Sequence, residues 1–271
     1  MGMKQQEITL PLYQVDAFTS ELFAGNPAAV CLLSEAISPE LMQSIAAENN
    51  LTETAFVRLD TQPYELRWFT PTTEVALCGH ATLAAAFVLF NQGLAQKSIE
   101  FQSLQSGILT VSIENELLTL DFPADEINPT SISASWHEMI GAPILEAYTG
   151  KTDLILRLDS ADSVRKLAPD LSRIERLPYR GVIVTAKGEG TIDFVSRFFG
   201  PAVGVPEDPV TGSAHTSLVV YWSQKLKKSK LKAKQESARG GSLICELKNG
   251  RAHLSGAARL YLKGEIYVPN R

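Results

Sequence analysis

The 271-residue chain has a mass of 29.6 kDa, 45% hydrophobic and 20% charged residues, and a formal net charge of −5. Such a composition supplies apolar surface for one large core or two ordinary ones and excludes disorder, while the mild acidity gives no pointer to nucleic acid. The longest nearly apolar run, Ala81 to Phe90, is too short to span a bilayer, and the opening residues Met1 to Glu7 lack the apolar centre of a signal segment, so a cytoplasmic location is expected.

Alternation predicts a first strand over Ile8 to Phe18, and a turn at Gly25, Asn26 and Pro27 leads into a second over Ala28 to Leu33. In such a turn Asn26 is a turn former, its side chain bonding to nearby backbone. Ser38, Pro39 and Glu40 provide an N-cap, a first-turn proline and a first-turn acid, so a helix opens there and runs to about Asn49. Leu51 to Leu59 alternates as a strand. Glu53 falls within it among Thr52, Thr54, Ala55 and Phe56, either as an exposed strand glutamate or as a carboxylate drawn into an apolar setting. A strand over Glu65 to Phe69 then feeds a turn-rich loop and an apolar helix, Ala81 to Asn91, with Gly93 beyond it as a stop. A helix apolar on all sides has to be buried, and strands predicted at Ile99 to Ser103, Ile108 to Ile113 and Leu117 to Phe122 wrap it.

Pro123 to Ser133 reads as a linker. After it come a short helix around Trp136 to Ile140, a strand near Thr152 to Leu158, a helix at Ser160 to Leu167, and strands at Gly181 to Ala186 and Ile192 to Phe199. A loop and helix occupy Pro201 to about Lys227, followed by a basic run, Lys225 to Lys234, read as a solvated tail at a helix C-terminus. Strands at Leu243 to Leu247, Ala252 to Ser255 and Ala258 to Val268 close the chain.

The two loop-helix segments share a grammar. If Pro71 is laid on Pro201 and three extra residues are allowed in the second copy, Gly79 falls on Gly212 and Ala81 on Ala214; aromatic pairs, Trp68 Phe69 and Phe198 Phe199, precede the two prolines. The chain therefore reads as a diverged duplication. Each glycine lets the backbone approach a ligand and opens a helix whose unpaired N–H groups attract anions, with His80 beside the first and Asp208 and Ser213 beside the second. Cys31, Cys78 and Cys245 lie far apart without CxxC spacing, the four histidines make no HExxH pair, and there is no Walker loop or GxGxxG after a strand. No metal and no cofactor are expected.

Four motifs in order, Phe23 to Val30, Thr52 to Val57, Cys78 to Thr82 and Glu207 to His215, closely resemble the PhzF-like (phenazine biosynthesis) family of the diaminopimelate epimerase-like superfamily. The resemblance implies an α+β fold of two duplicated domains, each a curled, barrel-like mixed sheet wrapped around a central helix. The expected domains are residues 1–125, joined by the returning strand 258–271, and residues 126–257, with the active site in the cleft between them. It further implies Glu53 as the acid/base, His80 and Asp208 as the residues that bind and orient the substrate, Gly79, Gly212 and Ser213 at an anion site, and Asn26 reaching the substrate. The partner is then a small carboxylated metabolite, with no nucleic acid or membrane, and a homodimer is expected by analogy.

Alternatives stay open on the residues. Asp208 can cap a turn, His80 can be a satisfied core histidine, and His215 reads as structural. Epimerases of the superfamily use two cysteines, whereas here Cys78 has Thr211 as its repeat partner, and a threonine hydroxyl is no carbon base near neutral pH. Cys78 then reads as a small buried side chain. Three functions follow: a cofactor-independent isomerase acting through Glu53, an epimerase or racemase using Cys78, and a non-catalytic protein that binds small carboxylates.

Overall fold

The computed structural model describes residues 7–269, so the opening residues 1–6 read above for a targeting segment, and the last two of the returning strand, lie outside the described residues. The chain divides into two compact units. Unit 1 comprises residues 1–23, 27–120 and 257–271; unit 2 comprises residues 24–26 and 121–256. Among the described residues no helix is long and apolar enough to cross a membrane.

In unit 1, β1 (Glu7–Ala17), β2 (Asn26–Leu33), β3 (Glu53–Arg58), β4 (Tyr64–Phe69), β5 (Glu74–Val75), β6 (Ser98–Ser103), β7 (Gly107–Glu114) and β8 (Leu117–Pro123) are joined by α1 (Pro39–Asn49) and α2 (Gly79–Asn91). The ladder runs parallel from β2 to β3, antiparallel to β4, parallel to β6, then antiparallel to β7 and β8, with β5 on the end of β4. At its other side β1 pairs antiparallel with the C-terminal strand Ala258–Pro269, from Glu7 opposite Pro269 to Ala17 opposite Ala258. β2 reads as an unbroken apolar run because both faces are covered. Cys31 and Leu33 meet Leu41, Met42, Ile45 and Ala46 of α1 on one face. α2 packs against β1, β3 and the C-terminal strand, and Ala81, Leu83 to Ala86, and Leu89 are fully enclosed. An open mixed sheet that covers a helix on so many sides must curl around it.

Unit 2 holds β9 (Asn128–Pro129), β10 (Glu146–Thr149), β11 (Asp153–Arg157), β12 (Gly181–Lys187), β13 (Phe194–Gly200), β14 (Val205–Asp208), β15 (Lys230–Gln235), β16 (Gly241–Lys248) and β17 (Arg251–Gly256). With them come α3 (Ala134–Ile140), α4 (Ala161–Arg165), α5 (Leu171–Glu175) and α6 (Gly212–Leu226); the C-terminal strand is β18. The ladder repeats the pattern of unit 1: β11 parallel to β12, antiparallel to β13, parallel to β15, then antiparallel to β16 and β17, with β14 on β13. α6 packs on β15, β16 and β17, while α3, α4 and α5 bring Met139, Ile140, Val164 and Ile174 to the other face of the sheet.

The basic run is the main correction to the sequence reading. Lys230 to Gln235 is not a solvated tail but strand β15, with Leu231, Ala233 and Gln235 buried and Lys230 and Lys232 exposed. Clustered lysines masked a period-two pattern. The loop and helix expected from Pro201 to about Lys227 are present, the loop part holding a 3-10 turn (Pro201–Val203) and the short strand β14 before α6. The residues read as a linker include β9, which pairs with β10.

Candidate active site

In unit 1, β3 begins with Glu53 and α2 begins with Gly79 and His80, with Cys78 at the N-cap. His80 is buried, and its ring lies between two partners. Nδ1 is 3.5 Å from Cys78 Sγ, and Nε2 is 3.1 Å from Glu53 Oε2, an ion-pair contact off the hydrogen-bond direction. Glu53 keeps 14% of its side chain exposed, so the carboxylate is held by His80 without being sealed from a ligand. Burial works against a charge on His80, but the neighbouring Glu53 carboxylate, with the hydrogen bond to Cys78, outweighs it and holds the imidazole well above its usual range. The Cys78 thiol is pushed up, first by burial and then by the Glu53 charge, so it stays protonated at neutral pH. Burial alone pushes Cys31 up to about 12 and raises Cys245 as well.

In unit 2, Asp208 is nearly buried at the end of β14, and both carboxylate oxygens accept hydrogen bonds: Oδ1 from Asn26 Nδ2 at 2.7 Å and Oδ2 from Thr211 Oγ1 at 2.6 Å. Asn26 is fully buried and gives its second amide hydrogen to Val210 O at 3.0 Å, so its amide group holds Asp208 and the loop after it. Gly25, at φ 66°, lets the chain enter this turn, where Arg239 donates to Gly25 O and Ala24 O. Two residues that no sequence motif indicated complete the arrangement. Gln235, with no exposure, accepts from Thr211 N at 2.9 Å and donates to Asp208 O at 2.7 Å. Arg180 donates to Ser213 Oγ at 2.9 Å. The alternation of Lys230 to Gln235 was the one available signal for Gln235, whereas Arg180 stands in no pattern at all.

Gly212 and Ser213 open α6, the first buried and the second exposed. His215, fully buried one turn on, donates from Nδ1 to Thr211 O at 2.8 Å, and burial lowers it to about 4. It is a neutral packing group.

The strand registers give the two units a residue-by-residue correspondence. Thr54 faces Phe69 across β3 and β4, and Val182 faces Phe199 across β12 and β13. Arg67 pairs with Glu74 and lies over Phe69; Arg197 pairs with Glu207 and lies over Phe199. On this register Glu53 corresponds to Gly181, where an added Cβ would run into the Phe198 ring and stand 2.8 Å from Phe199 O. The carboxylate of unit 1 thus has no counterpart in unit 2. Glu53, Cys78 and His80 offer one ligand atom each within 4.8 Å, a mixed O, S, N set of a kind that zinc accepts. The thiol and the carboxylate address opposite ring nitrogens, though, so a nitrogen turned to an ion beside one partner would leave the other.

Residues 15–266 match the family described as phenazine biosynthesis-like protein. The chain belongs to this family. A Pseudomonas aeruginosa member, named an uncharacterized isomerase, is 50% identical over 258 residues, covering 95% of this chain and 98% of its own. The crystal structure of an Enterococcus faecalis protein of the PhzF family superposes with a TM-score of 0.93 at 47% identity, covering 96% of this chain and all of that one. A hydroxyproline epimerase from Agrobacterium vitis shares the fold at a TM-score of 0.62 but only 8% identity, with 98% and 95% of the two chains covered.

Proposed function

We propose that the protein is a cofactor-independent isomerase in which Glu53 takes a proton from one carbon of a small carboxylated substrate and returns it to another. The C–H electron pair becomes a new double bond, the existing double bond supplies the pair that accepts the returning proton, and the net change is a moved hydrogen and a moved double bond. His80, charged beside Glu53, orients the substrate, as does Asp208. Gly79, Gly212 and Ser213 bind its acid group, and Asn26 acts through Asp208. The family membership and the naming of a close relative as an isomerase support the class of reaction.

The observation that carries the reading is that Glu53 has no carboxylate at the corresponding position of unit 2. Glu53 stands 3.1 Å from His80, and the position that corresponds to it in unit 2 is Gly181. Inversion at carbon by two bases needs one on each side, whereas one base suffices to lift a proton and set it down elsewhere. The matching ladders of the two units support their origin by duplication, after which only one kept an acid/base. A cysteine-based racemase finds no support in a thiol raised by burial.

Mass spectrometry of a panel of small cyclic and amino carboxylates in deuterated water tests this. Wild type should isomerise or deuterate a member of the panel, and Glu53→Gln should lose roughly 100-fold or more of that rate with its fold intact. Equal turnover by both proteins would sink the proposal, and alkylation of Cys78 that abolished turnover would favour the racemase.

A further inference from the structure

Arg180 precedes β12 and is locked in place from three sides. Nε and Nη2 make a two-point contact with the buried Asp153, at 2.9 and 2.5 Å, and the guanidinium lies 5.2 Å from the centroid of the Phe198 ring. Its backbone N–H is also tied to Thr152 O at 2.8 Å. From this fixed position Nη2 reaches Ser213 Oγ at 2.9 Å. A guanidinium has five donors and no lone pair to offer, so in this contact the serine oxygen accepts. A serine hydroxyl in water is free to donate or accept. Once its oxygen is held by Arg180, its proton is directed away from the guanidinium and toward whatever else can accept.

The pair is costly in one respect. A cation beside the N-terminus of a helix opposes the helix dipole, and the first residues of α6 are Gly212 and Ser213. Asp153 offsets that cost from the far side of Arg180 and fixes the guanidinium edge that meets Ser213. A salt bridge needed for stability alone could lie anywhere on the sheet; this one is aimed at a hydroxyl that is itself exposed.

We propose that Arg180 is a positioning residue that turns the Ser213 hydroxyl hydrogen away from itself and toward the ligand, so that, with the guanidinium charge beside it, the Ser213 subsite favours a charged carboxylate over a neutral amide or an amine. The inference rests on the reading that Ser213 meets the substrate. It does not depend on the proton chemistry of Glu53.

The test is binding, not turnover. The full chain, labelled with 15N, is titrated with acetate and separately with acetamide, its neutral counterpart, and the Ser213 amide signal is followed. Acetate should shift it saturably and bind at least tenfold more tightly than acetamide, in keeping with the strength of charge-assisted hydrogen bonds. Arg180→Met should weaken acetate about tenfold and leave acetamide unchanged, Arg180→Lys should recover part of the loss, and Ser213→Ala should erase any further effect of Arg180→Met. If Arg180→Met fails to fold, Arg180→Lys against wild type still gives the acetate-to-acetamide ratio. Failure of acetate to move the Ser213 signal in wild type, equal weakening of both ligands by the variants, or losses from Arg180 and Ser213 that simply multiply would each overturn the proposal. A catalytically dead isomerase would leave all of these outcomes unchanged, so the two readings fail separately.

Discussion

His80 and His215 both lie within the first turn or so of an apolar helix and both are buried, yet their surroundings drive them in opposite directions. His215 has a backbone carbonyl and a serine as neighbours, so burial prevails and lowers it to about 4. The unfolded chain takes up a proton near pH 6.5 while the native state refuses it until about pH 4. Its contribution to stability is therefore complete above pH 6.5 and is lost as pH falls through that window, a difference of roughly 3 kcal/mol at about 1.4 kcal/mol per pH unit. His80 has Glu53 and Cys78 beside it and is raised. Its contribution is complete below pH 6.5 and disappears as pH rises through the elevated value. Urea midpoints from pH 4 to pH 9 should show the gap between wild type and His215→Gln shrinking toward acid, and that between wild type and His80→Gln shrinking toward alkali. Parallel curves for the two variants would contradict both assignments. The sequence made His80 and Glu53 separate candidates, each with a bland alternative; only the register of β3 against the start of α2 brings them to 3.1 Å.

At the level of elements, the loop from Asp208 to Thr211 takes its shape from a neighbouring strand. Gln235 on β15 satisfies Thr211 N and Asp208 O at once, in a place that water does not reach. Gln235→Leu would fit the space but leave both backbone groups buried and unpaired, each at about 1–3 kcal/mol, so a loss of roughly 2–6 kcal/mol is expected in chemical denaturation. Amide exchange at Val210 and Thr211 should quicken as well; unchanged exchange with unchanged stability would show that the loop holds itself. A comparable test of the central helix is Leu83→Ala, which removes a fully enclosed side chain from α2 and should cost about 2–5 kcal/mol. The two helices were legible from their apolar stretches and glycine starts. β15 was not, because four lysines at positions 228, 230, 232 and 234 gave the segment the look of a solvated tail.

Across the whole molecule, the repeated Gly-X-Ala step marked where two helices begin, and each unit carries the same ladder around its helix. The functional asymmetry was harder to see. Gly181 and Glu53 look unrelated in the sequence, and their correspondence appears only when β3 is read against β4 and β12 against β13. The pairing of β1 with β18 joins residues from opposite ends of the chain, which no local pattern specifies. Removal of residues 258–271 should therefore unfold unit 1 while sparing the internal pairings of unit 2. Limited proteolysis should cut first within residues 7–120, and uniform cutting across both units would count against this division.

The same pairing sets an order of events during synthesis. β1 emerges among the first residues and waits for β18 until all of unit 2 has been made. Over that interval the half of the protein begun first stays incomplete, and its Glu7–Ala17 strand presents an unpaired edge. A ribosome stalled before residue 258 would release a chain with that edge still open to the same edge on another copy. For this fold, late truncations are thus expected to be more prone to aggregation than a comparable loss from a mid-chain loop.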